Sequence, residues 1–172
     1  MTTIRGGLLR SLRIVGAAFL LFCVTVAPRT GAAPPPSIQA AGKAQSTYAI
    51  DTTQPVVFPE QSWRIVAPNI LGPTVAVFST VPFQNVKDHN SHVDAQLNLR
   101  ALSRGLANGW TVLVPQARTA TTSGTTTASV AAASVGGNGD MGVTVSFLCH
   151  ERPFLTDGVY ETTVIGTITE AF

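Results

Sequence analysis

An all-β fold, a single antiparallel β-sandwich behind an N-terminal signal peptide, is the architecture this sequence predicts, and three observations predict it. Short runs from residue 46 to the C-terminus alternate apolar with polar residues, the period-two pattern of strands half buried in a sheet. Prolines and glycine- or asparagine-bearing turns punctuate those runs at sandwich spacing. No segment after the leader carries a helical period. An up-and-down barrel is the structural alternative.

The first 33 residues read as the leader. Arg5, Arg10 and Arg13 form a basic start, residues 14–27 are apolar, and Thr30, Gly31, Ala32 and Ala33 supply small residues for cleavage. The apolar run is too short to span a bilayer comfortably, so no stable membrane span is expected after processing. Four of the 11 Lys and Arg residues (Arg5, Arg10, Arg13, Arg29) fall in this leader and none of the nine acids does. The remaining chain is therefore 7 − 9 = −2 in formal charge. With no basic stripe left, nucleic acid is not an expected partner.

Residues 34–44 (PPPSIQAAGKA) read as a Pro/Ala-rich spacer, and 45–172 as the sandwich domain. Cys149 is the one cysteine beyond the leader, which leaves no internal disulfide, and its alternation with Phe147 and Val145 marks it as a small buried residue. Tyr48 and Ile50 alternate ahead of Pro55, whose missing donor favours an edge strand over 46–58. Trp63, Ile65 and Ala67 give the next alternation. Residues 74–81, rich in β-branched side chains and framed by Pro73 and Pro82, give another.

The polar stretch 84–94 holds Asp88, His89, His92 and Asp94, residue types that ligate metals, but their spacing matches no metal motif and a solvated loop accounts for them. Residues 93–115 then carry the clearest pattern of all. Val93, Ala95, Leu97 and Leu99 share one face, turn residues run from Ser103 to Gly109, and Trp110 opens a second alternation that Pro115 ends. This reads as a hairpin-like pair with Trp110 as a core anchor. Residues 125–135 and 143–149 supply two more strands around the glycine-rich turn at 136–142. That turn leads into a strand and not into the helix a phosphate cradle needs, so no cofactor is expected. The threonine-rich run 159–172 closes the sheet.

Two motifs bear on function. The run LNLRALSRGLANGWTV, with Arg104, Gly105, Gly109, Trp110 and Val112, resembles the first half of a WxL-type surface domain, in which an Arg-Gly turn leads into a Gly-Trp-x-Leu strand. The C-terminal run DGVYETTVIGTITEAF, with Gly158 and Tyr160, is similar to that family's ending. Val112 replaces the usual leucine, and Gly166 stands where the second tryptophan would be. The resemblance implies non-covalent attachment to the peptidoglycan wall and a place in surface complexes. The same Gly-x-Tyr ending also resembles pilin-like and spore-coat-like subunits, which implies assembly by a strand from a neighbour, with 46–58 as donor and self-association as the outcome.

The expectation is a non-enzymatic protein, secreted or at the cell surface, that binds cell-wall polysaccharide or other surface proteins. Trp110 and Tyr160, with Trp63 as a third, would offer flat rings for sugar stacking if exposed, and Arg104 or Asn108 would hydrogen-bond a hydroxyl. Three histidines and no nucleophile, dyad or metal spacing give no basis for catalysis.

Overall fold

In a computed structural model, the described residues are 36–40, 42, 54–67, 73–135, 137–149 and 155–170. The predicted leader, and the first half of the strand expected over 46–58, lie outside them. The described chain is mostly β with almost no helix. Its strands are β1 (Ser37–Ala40), β2 (Val56–Val57), β3 (Gln61–Val66), β4 (Thr74–Thr80), β5 (Phe83–Asn85), β6 (His92–Val93) and β7 (Ala95–Ala101). They continue with β8 (Thr111–Val114), β9 (Gln116–Arg118), β10 (Ala128–Ser134), β11 (Gly139–Phe147), β12 (Tyr160–Glu161) and β13 (Val164–Glu170).

The strands assemble into three antiparallel sheets. The first runs β1-β3-β11-β7-β9, with β2 beside β11 at the far end of β3; the second runs β13-β4-β10-β8; the third is β12-β5-β6. Period-two alternation sets which residues go inward. In β7, Ala95, Leu97 and Leu99 are buried while Gln96 and Asn98 are half-buried, and in β4 Ala76 and Phe78 are sealed. One core cluster takes Ile65, Leu97, Leu99, Met141 and Val143 from the first sheet and Ala76, Phe78, Ala128, Val130 and Ala132 from the second. A second cluster gathers Phe83, Val93, Ala95, Phe147 and Cys149.

Three expectations need correction. The segment 93–115 is not a hairpin: β7 pairs with β11 and β9 in the first sheet, and β8 pairs with β10 in the second. What joins them is a five-residue helix, α1 (Ser103–Ala107), although no helix was expected. Gly105 lets α1 lie against β11, because a Cβ there would stand 2.8 Å from the Asp140 carbonyl oxygen. Residues 37–40, read as spacer, form β1 and pair with β3 from Ser37↔Val66 to Ala40↔Trp63.

The stretch read as a solvated loop also holds two buried polar anchors. Asn85 is fully buried, and its Oδ1 accepts from the backbone N–H of Lys87 (2.9 Å) and of Asp88 (3.2 Å). Asp94 is 4% exposed; its Oδ1 accepts from Thr119 Oγ1 and from the Thr121 N–H, each at 2.9 Å. A buried carboxylate is tolerated only with such partners, so Asp94 ties β7 to the chain beyond β9.

On the outer side of the first sheet, Arg100 of β7 donates to both Glu60 oxygens, Nη2 reaching Oε1 at 2.7 Å. That hydrogen bond holds the Glu60 carboxyl below the usual carboxylate range. A depressed acid contributes stability above its unfolded value, and the contribution is lost as pH falls through the folded one. The stability difference between the wild type and Glu60→Gln should therefore be present at neutral pH and fade as pH falls from the free-glutamate value through the lower folded one. Urea midpoints measured across that range check it. The pair is solvent-facing, with Arg100 66% exposed, so the effect is small.

Candidate functional site

The five residues proposed for ligand contact separate into two places. Trp110, Arg104 and Asn108 meet around α1. Trp110 is 2% exposed, its indole lies over Gly139 of β11, and its Nε1 donates to the Gly137 carbonyl at 3.2 Å. It presents no face to a sugar ring. Asn108 ends α1 and its amide donates to the Asn138 carbonyl, which clips α1 to the β10–β11 turn. Arg104 is exposed on α1. The sugar-stacking role expected for Trp110 required exposure, and the structure gives it the core role instead.

Trp63 and Tyr160 come together elsewhere. Both line a cleft of about 1370 Å³ at the end of the first sheet where β2 takes over from β3 beside β11. Its floor is Val143, Val145 and Phe147, with Phe58 and Phe83 adding rings. Its rim includes Val81 and Val159, exposed by 51% and 62%. Hydroxyls and amides of Thr127, Thr163, Gln61 and Gln84 complete the wall, with Glu161 as its one carboxylate.

The ring arrangement has a clear origin. Phe83 stacks on Phe58 with centroids 5.5 Å apart and meets Phe147 edge-on at 5.0 Å. Phe147 in turn meets Tyr160 edge-on at 5.3 Å, a favoured geometry for aromatic pairs. The Tyr160 hydroxyl is 2.8 Å from Ser91 Oγ and donates to the Thr156 carbonyl at 2.9 Å. Trp63 crosses to the other sheet: it meets Phe78 of β4 edge-on at 5.2 Å, and its six-membered ring lies over Gly166 of β13. Its Nε1 is the buried side-chain polar atom left without a hydrogen bond among the described residues.

The position where the resemblance called for a second tryptophan is thus occupied in space by Trp63. A Cβ on Gly166 would stand 2.9 Å from Trp63 Cζ3. Both tryptophans follow one rule, each indole lying on a strand glycine from another part of the chain.

Sequence reading missed Phe58, Phe83, Phe147 and Val81 as wall residues. For Phe58, Val81 and Phe83 the available signal was their position beside Pro59 and Pro82; for Phe147 it was its place at the end of an alternating run. Among the described residues no cluster of three His, Cys, Asp or Glu side chains has metal-binding geometry, and Asp94 is engaged by Thr119 and Thr121. No protein-family model, no curated protein and no solved structure matches the chain.

Proposed function

We propose that the chain is a non-enzymatic, exported surface protein, built as a single antiparallel β-sandwich from the two larger sheets, that binds cell-wall polysaccharide through the cleft. What supports this reading is the composition of the cleft wall. Aromatic rings at Trp63, Phe58 and Tyr160 stand beside hydroxyls and amides with a single carboxylate, the set that neutral, ring-bearing polymers such as glycans require. The WxL-like segment points to the same ligand class, although its Trp110 acts in the core. Another surface protein is the competing partner.

Co-sedimentation with purified peptidoglycan tests the proposal. The wild type should pellet with the wall. Val81→Glu and Val159→Glu place a charge on the exposed rim without touching the core, and each should weaken binding about tenfold, a loss of roughly 1.4 kcal/mol. A wild type that stays in the supernatant, or folded rim variants that pellet equally, would sink it. Trp110→Ala is not a useful contact test, because it removes a core side chain.

A second reading, a pilin-like structural subunit completed by a neighbour's strand, is favoured by the outer edge of β13, with which no described strand pairs. The segment 46–58 is a poor donor for it, since Val56–Val57 already pair with β11.

A further inference from the structure

Sheet edges are sites of unwanted pairing, and proteins guard them with prolines, bulges, charges or short strands. Three edges of the two larger sheets are guarded in this way. β8 has four residues, a register shift against β10 and Pro115 at its end. β9 has three residues, follows Pro115 and ends on Arg118. β1 has four residues and follows Pro36.

β13 has none of these defences over Val164–Thr169. Its seven residues pair with β4 in unbroken register from Val164↔Thr80 to Glu170↔Thr74, and no described strand pairs with its other side. Outward along it stand Ile165, 58% exposed, Thr167 and Thr169. Beside them on the same face lie Val75, Val77 and Ser79 of β4, then Ser129, Ala131 and Ala133 of β10. None of these nine side chains is charged. Inward, Val164 and Ile168 are only partly buried, whereas Ala76 and Phe78 on the neighbouring strand are fully buried. Ile38 of β1 lies against the inner face of Gly166, so it covers that face and does not pair with the outer edge.

We propose that β13 is a self-association edge, on which two copies of the chain pair β13 to β13, antiparallel, about a twofold axis at Thr167. The occupant is a second copy because the strand is complementary to itself in this register. Ile165 faces the partner copy's threonine at 169, Thr167 faces its own counterpart, and Gly166 faces isoleucine at 168. Threonine pairs and aliphatic–threonine pairs are favourable across strands, and no like charges are opposed. The two second sheets then join into one continuous eight-stranded sheet, and a twofold contact of this kind closes on itself. An edge contact of seven residues falls below the ordinary size of a stable interface, so the dimer is weak, with a dissociation constant on the order of 10–100 μM. The pairing does not depend on the cleft or on what it binds.

Sedimentation equilibrium of the purified chain tests this. The weight-average mass should rise from monomer toward dimer as concentration passes through that range. Thr167→Lys sets two lysines face to face on the axis, at an exposed position that the fold tolerates, and should weaken association at least ~10-fold. Thr167→Val should leave it intact. Ser129→Lys, on the same sheet face but two strands from the edge, should also leave it intact, with circular dichroism confirming that each variant is folded. A wild type that stays monomeric throughout, a dimer that survives Thr167→Lys, or one that Ser129→Lys abolishes would each overturn the proposal, the last by pointing to face-to-face stacking.

Discussion

Trp110→Ala is expected to remove about 3–5 kcal/mol of stability, the range for truncating a large buried aromatic. That loss is comparable with the whole stability of a small domain. Trp110 is 2% exposed and packs in the cluster that draws on both larger sheets. Its indole lies on Gly139, which pairs with Ile65 in the first sheet. A glycine has no side chain to move into the vacated space, and the strand on either side is held by its ladder, so the cavity cannot collapse. Trp110→Phe keeps most of the ring and loses the Nε1 bond to the Gly137 carbonyl, for a smaller cost that includes about 1 kcal/mol for that bond. Urea unfolding of the three proteins gives the comparison. A loss under about 1 kcal/mol for the alanine variant would contradict the packing described.

Gly166→Val is expected to destabilise by about 1–3 kcal/mol, the usual cost of overpacking. The sign is what makes the experiment informative. Valine favours strands and glycine weakens them, so strand propensity alone predicts that this replacement in a threonine- and isoleucine-rich strand would stabilise. Contact predicts the opposite: the new Cβ would meet Trp63 Cζ3 at 2.9 Å and Ile38 Cδ1 at 3.0 Å. Trp63→Leu should lose stability alone but recover part of it in the Gly166→Val background, giving a coupling between the two sites in a double-mutant cycle. Independent, additive losses would show that the tryptophan and the glycine do not share a space.

The contrast between these residues shows what a sequence can reveal. The strands were legible wherever one face is buried, because burial writes itself as alternation: β7 follows its Ala95, Leu97, Leu99 pattern closely. Pairing was not legible. β7 and β8 are neighbours in sequence yet belong to different sheets, and nothing local to residues 102–109 distinguishes a hairpin turn from a helical crossover. Asp94 and Asn85 read as solvated because polarity is all that sequence displays. Their burial depends on Thr119 and Thr121 for one, and on backbone donors for the other.

The candidate site was legible only in fragments. Trp63 and Tyr160 stand out in sequence as rings able to stack on a sugar if exposed, but the cleft they share is assembled from separate segments that include Phe58, Phe83 and Phe147. Gly166 is the sharpest case. In sequence it is a missing tryptophan; in space it is the platform on which another tryptophan lies.

The pairing of β13 with β4 bears on how the chain folds. Val164 meets Thr80 across more than half of the described chain, so the second sheet lacks its β13 edge until residues 164–170 have joined β4. Folds dominated by such distant pairings form slowly, over milliseconds to seconds. The contact that completes the sheet carries a large loop-closure cost, and until it forms β4 itself stands as the open edge.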